Sequence, residues 1–307
     1  MNLGLIVRRS LRQHALSTAV TAGSIALAAG LLMSVWLVKD QAQTTFASVA
    51  SGFDAVLGAR GSKLQLVLHA VFPLESSPGN LAWNDVLDLQ KHPSVDFAVP
   101  IAVGDNYRGW RIVGTTPTLF ERAELAPGRK FRVASGGRWF DPELREAVIG
   151  SFAARKLGLK VGDSFRPSHG LSYAEQAEHE ETYLVVGVLE PSNTPADRVI
   201  WIPLEGVQRM GGHDPKAVSD VSAVLVKLRS GGAAGFQLDQ YYNKLGQRLT
   251  FAWPIGAVVA ELFSKLGWFD RILTLVAWLV VLVATGSVLA SIYSSMNERR
   301  REIAILR

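Results

Sequence analysis

The side chains of this chain that could do chemistry are concentrated between His169 and Tyr183. The stretch His179-Glu180-Glu181-Thr182-Tyr183 has the first half of an H-E-x-x-H motif, in which two imidazoles one helical turn apart bind zinc. Tyrosine occupies the position of the second histidine, so this ligand pair is broken. The side chains that could bind a cation by type alone are His169, His179, Glu175, Glu178, Glu180 and Glu181. Because their spacing does not place them on one face, the sequence favours a solvated acidic loop.

Motifs for other reactions are absent from the sequence. The chain has no G-x-x-x-x-G-K-[ST] loop to hold nucleotide phosphates, no G-x-S-x-G and no G-x-G-x-x-G. It also has no cysteine, which excludes a thiolate nucleophile and a thiolate metal site. We therefore predict no catalytic residue, no metal and no cofactor. A membrane-tethered enzyme would require a cluster of reactive side chains in residues 39–271, and the sequence shows none there.

Composition and charge indicate a membrane protein rather than a nucleic-acid binder. Of the 307 residues 48% are hydrophobic and 19% are charged, which is too apolar for a purely soluble protein. The net charge of +5 comes entirely from residues 1–14 and 298–307, and the acids and bases of the segment between them balance. A nucleic-acid partner is therefore excluded, because the folded middle has no surplus of basic side chains to neutralise phosphates.

Two long uncharged stretches adjoin these basic ends. Residues 15–38 and 272–297 carry no charged side chain, and a helix of the shorter stretch is about 36 Å long against about 30 Å of bilayer hydrocarbon. We predict transmembrane helices at 15–38 and 272–297, with both basic ends in the cytoplasm and residues 39–271 outside, in a bacterial inner membrane. The alternatives are a cleaved signal peptide for the first stretch and a buried core helix for the second.

The pattern within the helical segments adds two expectations. Residues 1–14 have apolar side chains at helical spacing opposite their arginines, which predicts a cytoplasmic amphipathic helix or, alternatively, an unstructured basic flank. Small residues every four positions favour close helix packing, unless they reflect only an alanine-rich composition. The predicted helix-packing residues are Ala22, Ala26, Gly30, Gly286, Ala290 and Ser294.

The segment between the two spans predicts an α+β domain over residues 39–252, with two subdomains, mixed sheets and short helices, one subdomain inserted in the other. Its elements are a helix at 83–92, which Pro93 ends, a strand at 95–103 and a helix at 152–157 that Ser151 caps and Gly158 ends. Further predicted strands cover 111–114, 147–150, 183–189, 199–203 and 221–228, and a helix follows Gly231-Gly232. We predict that residues 253–271 form a helical stalk, which continues into the second transmembrane helix without a break.

The residues after the second span resemble a known family. Ser295 to Arg307 reads SMNERRREIAILR and resembles the N-E-R-x-x-E-I-[AG]-x-x-[KR] segment after the second transmembrane helix of FtsX/MacB-type ABC transporter permeases. Weaker similarity lies in residues 11–29, 112–120, 128–129, 147–150 with 154–162, and 185–188, in the order of that family's periplasmic core domain. The family has four transmembrane helices, so the resemblance implies a chain that lacks the last two, as a fragment or a truncation.

The resemblance implies a non-catalytic permease subunit that forms a homodimer or heterodimer and works with a separate cytoplasmic ABC ATPase. ATP-driven closure of the ATPase would move the periplasmic domain, for export, for lipid or lipoprotein handling, or for mechanotransmission. A periplasmic adaptor or a lipoprotein and membrane lipid are the other implied partners. Residues 298–307 correspond to the start of the family's coupling helix. The ATPase-coupling role is carried over to Glu298, Arg299, Arg300, Arg301, Glu302, Ile303 and Leu306.

A different class of function shares the same topology. A two-span sensor or a scaffold such as a polysaccharide chain-length regulator also has inward termini and a large outer domain. A sensor requires a cytoplasmic signalling domain, and a chain-length regulator lacks the E-R-x-x-E-I segment. We therefore favour the permease.

Overall fold

The computed structural model describes residues 12, 15–49, 52–126, 128–172, 174, 177–211, 219–265 and 267–305. The chain divides into two compact units. Residues 1–44 and 263–307 form one of them, which we call the helical unit, and residues 45–262 form the other, which we call the sheet domain. The predicted tail helix at 1–14 lies outside the described residues except for Arg12, whose backbone is helical.

The sheet domain alternates short helices and strands, as the turn signals of the sequence predict. Its described strands are β1 (Ala55–Ala59), β2 (Val95–Tyr107), β3 (Trp110–Thr115), β4 (Glu124–Ala126), β5 (Arg129–Lys130), β6 (Glu146–Ile149), β7 (Ser164–Phe165), β8 (Ser168–His169), β9 (Tyr183–Val188), β10 (Ile200–Pro203), β11 (Ala223–Leu228) and β12 (Leu249–Ala252). The helices in chain order are α1 (Ala15–Val49), α2 (Lys63–Ala70), α3 (Trp83–Lys91), α4 (Thr118–Arg122), α5 (Ser151–Leu157), α6 (Leu204–Gln208), α7 (Gly231–Gln240), α8 (Ile255–Lys265) and α9 (Gly267–Ile305).

One mixed sheet runs through the domain in the order β12-β1-β11-β2-β3-β10-β6-β9-β7, with β8 paired to β2. Most neighbours are antiparallel, but β10 runs parallel to β3 and β6 runs parallel to β9. The predicted α+β fold with mixed pairing is confirmed. The prediction of two subdomains is wrong, because the strands β10, β6, β9 and β7 belong to the same sheet as the others. They are joined to it by β10, which pairs with β3 from Ile200 opposite Ile112 to Pro203 opposite Thr115. Pairing between strands this far apart in the chain leaves no local sequence signal.

Sequence patterns within a few residues of an element predicted several elements correctly, and helix α3 is one of them. Helix α3 begins at Trp83 and ends at Lys91, two residues before Pro93, and it buries Val86 and Leu89. Its apolar side chains recur at helical spacing, which is why the pattern could be read from the sequence. Asp85 in its first turn makes a two-pronged ion pair with Arg248 near β12. This pair connects α3 to the end of the sheet.

The helix after β6 corrects one prediction and confirms another. Ser151 does not cap α5, because it is the first helical residue and its buried hydroxyl has no hydrogen-bond partner among the described residues. Gly150 holds the cap position, where a Cβ would overlap the backbone of Ala196 and Asp197. Only glycine allows the two segments to approach so closely. Gly158 ends the helix in the left-handed conformation, at a φ of 71°, as predicted.

The segment predicted as one continuous stalk contains two helices. Helix α8 covers Ile255–Lys265 and α9 covers Gly267–Ile305. Leu266 lies between them and outside the described residues. Continuity through that position therefore stays a prediction, whereas the helical character of 255–265 is confirmed.

Candidate functional site: two long helices and the sheet domain

Helix α1 contains the predicted first transmembrane segment. It has 35 residues, and its stretch Thr18–Leu37 has a mean hydropathy of 1.8 and is long and apolar enough to cross a membrane. The large apolar side chains along this stretch are exposed in the chain by itself, among them Leu27 and Trp36. A helix of this composition is stable in lipid, where apolar side chains face hydrocarbon.

Helix α9 contains the predicted second segment. It has 39 residues, but its strongly apolar part, Thr274–Ala290, is shorter than the stretch in α1. Ser291 and Asn297 lie in the remainder of the predicted span, and their polarity lowers the hydropathy there. Among the described residues, α1 is therefore long and apolar enough to cross a membrane, and α9 contains a shorter apolar stretch.

The small residues of the two helices fall on faces that the rest of the chain leaves exposed. Among the described side chains of the helical unit, the buried ones are Ala28 in α1 and Ala277 and Ala284 in α9. The predicted packing residues Ala22, Ala26, Gly30, Gly286 and Ala290 are exposed, and the side chain of Ser294 is outside the described set. With about 100° per residue, both small-residue stripes point away from the covered faces. Their role in helix packing stays a prediction.

The predicted coupling residues lie on the last turns of α9. The helix continues from the apolar stretch through Ile305 without an interruption, so Glu298 to Ile303 are on the same rod as the second predicted span. Arg300 is exposed, and the side chains of the other coupling residues, together with the whole of Leu306, lie outside the described set. The role of this segment stays a prediction.

The histidines singled out in the sequence are brought together in the sheet domain. The Nε2 atom of His179 lies 3.1 Å from Asp105 Oδ1, and Nδ1 of His169 lies 3.5 Å from the same oxygen. Asp105 is fully buried and His179 is 8% exposed. The expectation of a solvated loop is therefore wrong for His179.

The acids named with these histidines do not join them. Glu178 and Glu180 are exposed, Glu181 accepts a hydrogen bond from the Gly211 amide at 3.1 Å, and Glu175 lies outside the described residues. Asp105 was missed because it is 64 residues away from His169 in the chain. The one local signal was the polar pair Asp105-Asn106, which follows Gly104 after the apolar residues 95–103.

An apolar pocket with a cavity volume of about 80 Å³ lies against the sheet. Ile101, Val113, Trp201 and Leu225 line it from four different strands. His69 contributes a ring whose Nδ1 lies 3.1 Å from the Glu75 carbonyl oxygen, and burial lowers the pKa of this imidazole. The ring is therefore neutral near pH 7, and the pocket suits an uncharged, apolar group.

The sequence model of one protein family, described as the MacB-like periplasmic core domain, matches residues 18–237. The chain belongs to this family. Its members are permease subunits of ABC transporters, which in general are not catalytic themselves, and the MacB/FtsX-type resemblance drawn from the sequence is confirmed. A MacB-like periplasmic core domain also implies a membrane protein with a periplasmic segment.

Two solved structures of domains from other proteins are similar to this chain. The periplasmic region of MacB from Actinobacillus actinomycetemcomitans is 12% identical, with 70% of this chain and 94% of that chain covered and a TM-score of 0.45. The extracellular domain of the noncanonic ABC-type transporter YknZ from Gram-positive bacteria is 16% identical, with 64% and 99% covered and a TM-score of 0.36. No curated protein matches the MacB-like chain.

Proposed function

We propose that the chain is a permease subunit that couples ATP hydrolysis by a separate cytoplasmic ATPase to movement of its MacB-like periplasmic domain. The observation that carries this proposal is the extent of the family match, which begins at residue 18 inside α1 and continues through most of the sheet domain to residue 237. The match therefore includes a membrane-crossing candidate and the domain attached to it, in the order expected of a permease.

The placement of charged and aromatic side chains supports a two-span topology. Trp36 lies near the end of the apolar stretch of α1, and Trp268 lies just before that of α9; both are exposed. Tryptophan prefers the membrane–water interface, so both residues suit the outer interface. The arginines at 8, 9 and 12 and at 299–301 lie at the opposite ends of the two stretches, which favours a cytoplasmic location for both.

The course of α9 supports a mechanical coupling. Glu302 and Gly267 lie on one helix, so a displacement at Glu302 would be carried along that helix toward Gly267. Closure of an ATPase against the segment 298–306 would in this way move the outer end of the second span. The substrate class stays open among export, lipid or lipoprotein handling and mechanotransmission.

The exposed small residues support a dimeric permease. The stripe Ala22-Ala26-Gly30 in α1 faces away from the covered Ala28, and a second permease helix can approach closely at such a stripe. A homodimer and a heterodimer both satisfy this arrangement. A periplasmic adaptor or lipoprotein would contact the sheet domain rather than these helices.

Co-purification tests the proposal. We expect the chain, isolated in mild detergent from its native membrane, to recover a protein that contains a G-x-x-x-x-G-K-[ST] loop in a near-stoichiometric amount, because residues 1–307 contain no such loop. Recovery is measured by quantitative mass spectrometry, with a preparation from cells lacking the chain as the control. Recovery of the folded chain with no such ATPase would contradict the proposal.

A further inference from the structure

Three side chains from separate segments of the sheet domain converge at the end of β2. Asp105 comes from β2, His169 from β8 and His179 from the segment that leads into β9. Each residue offers one atom that could bind a metal ion, and these three atoms lie within 4.8 Å of one another. The carboxylate oxygen Oδ1 of Asp105 is 3.1 Å from His179 Nε2 and 3.5 Å from His169 Nδ1.

Backbone pairing positions Asp105 and His169 independently of their side chains. In the antiparallel pairing of β2 with β8, Asp105 lies directly opposite His169. The amide of Gly170 donates to the Gly104 carbonyl at 2.9 Å. The buried Asn106 side chain donates through Nδ2 to the Gly170 carbonyl at 2.9 Å. The two facing residues are therefore held by main-chain and amide contacts on both sides.

The position of His179 is fixed by the other end of the same loop. Its amide donates to the Pro167 carbonyl at 2.8 Å, and Glu178 forms an antiparallel bridge with Ser168. The loop therefore leaves the sheet at Ser168 and returns beside it, which brings two histidines ten residues apart next to the same carboxylate. A site held in this way is preorganised for a ligand.

The spacing of the donor atoms fits a small divalent ion. Zinc binds imidazole nitrogen and carboxylate oxygen at about 2.0–2.2 Å, and a tetrahedral site with such bonds has its ligand atoms about 3.3 Å apart. The two distances to Asp105 Oδ1 lie on either side of that value. Two imidazoles and a carboxylate are also a donor set that zinc uses where a fourth position stays open to water.

Burial favours a cation at this place. Asp105 is fully buried, and a buried carboxylate costs free energy unless charge or hydrogen bonds compensate it. A divalent ion compensates the charge of a carboxylate more strongly than a single hydrogen bond does. The side chain of His169 is 54% exposed, which leaves one side of the cluster accessible to an entering ion.

We propose that Asp105, His169 and His179 form a binding site for a divalent transition-metal ion, with zinc as the ion that the donor set fits best. The ion replaces the hydrogen bond between His179 and Asp105 and ties the segment that leads into β9 to β2. This inference is independent of the ATPase partner, because it concerns only the sheet domain. The proposal differs from the prediction of no metal site, which was made from the sequence without Asp105 as a third ligand.

Metal titration of the full chain in detergent tests the site. The protein carries no polyhistidine tag and is freed of metal with a chelator, and zinc chloride is then followed by calorimetry and by the melting temperature. We expect one zinc ion per chain and a raised melting temperature. Cobalt is the second probe, because visible absorption bands report imidazole and carboxylate ligation directly.

Three variants separate a metal site from a structural hydrogen bond. We expect H169A and D105N to weaken zinc binding by about 100-fold or more, since even the loss of a residue behind a ligand costs about 10- to 100-fold. E180Q is the matched control, because Glu180 adjoins His179 and is exposed, and it should bind zinc as the unchanged chain does. H169A decides the question if D105N does not fold, because His169 is at the surface.

Two outcomes would overturn the proposal. The unchanged chain could fail to bind zinc or cobalt, which would leave the cluster as a carboxylate that accepts hydrogen bonds from imidazoles. H169A could also bind zinc as tightly as the unchanged chain, which would place the metal elsewhere. Neither outcome bears on the permease assignment, which is tested by ATPase recovery.

Discussion

Replacement of Ile303 by aspartate is expected to reduce the ATPase activity of the assembled transporter at least about tenfold, because loss of an interface hot spot costs about 2 kcal/mol or more and an unpaired buried charge adds to that cost. The expectation follows from the resemblance of residues 298–306 to the family's coupling segment and from the continuous helix α9 that carries them. Charge reversal in E302K is expected to act in the same direction. ATP hydrolysis by the co-purified complex is the measurement.

The control for this prediction lies about two turns before Ile303 on the same helix. Met296 is 56% exposed and precedes the coupling segment, so M296L should leave ATP hydrolysis unchanged. Amide hydrogen exchange of the sheet domain should be the same in all three variants, since the substitutions are outside it. Full ATPase activity in both I303D and E302K would show that the segment does not couple the two subunits.

Replacement of Phe120 by alanine is expected to destabilise the sheet domain by about 3 kcal/mol or more, the usual cost of truncating a buried phenylalanine. Phe120 is 5% exposed. Its ring stacks on Trp139 with the centroids 4.5 Å apart and meets Phe131, Phe140 and Trp201 edge-on at 5.7–5.9 Å. Loss of this ring removes the centre of the cluster that joins the segment after β3 to strand β10.

Amide hydrogen exchange measures this effect in the intact chain. Strand β10, which contains Trp201, should lose protection by about a hundredfold in F120A, since about 1.4 kcal/mol corresponds to one factor of ten. F236A is the matched control, because Phe236 is 58% exposed on α7, and a surface substitution of this kind changes stability by about 0.5 kcal/mol or less. Equal protection of β10 in the two variants would show that the aromatic cluster is not a determinant of stability.

The parts of the fold that the sequence predicted are those with a local cause. Helix α3 could be located from its apolar spacing and from Pro93, and the end of α5 from Gly158, because each signal lies within a few residues of the element it sets. Strand β2 was predicted at its start but continues to Tyr107, past Gly104. A glycine there permits a bulge, and the register between β2 and β3 does shift between Val103 and Asp105.

The parts that the sequence did not predict depend on contacts between distant segments. Strand β12 pairs with β1 across nearly two hundred residues, and neither strand shows a pattern longer than five residues. The grouping of Asp105 with His169 depends on a pairing of only two residues between β2 and β8. Ala28 is buried while the neighbouring small residues of α1 are exposed, and which face of a helix is covered depends on what packs against it rather than on its own sequence.

Cysteine accessibility tests the central claim, that both ends of the chain are cytoplasmic and the sheet domain is on the other side of the membrane. The chain has no cysteine of its own, so single substitutions R12C, K91C and R300C report one position each, and all three positions are exposed. In right-side-out membrane vesicles, we expect an impermeant maleimide to label K91C at once, and R12C and R300C only after the membrane is permeabilised. Labelling of R12C or R300C in intact vesicles to the same extent as K91C would contradict the account.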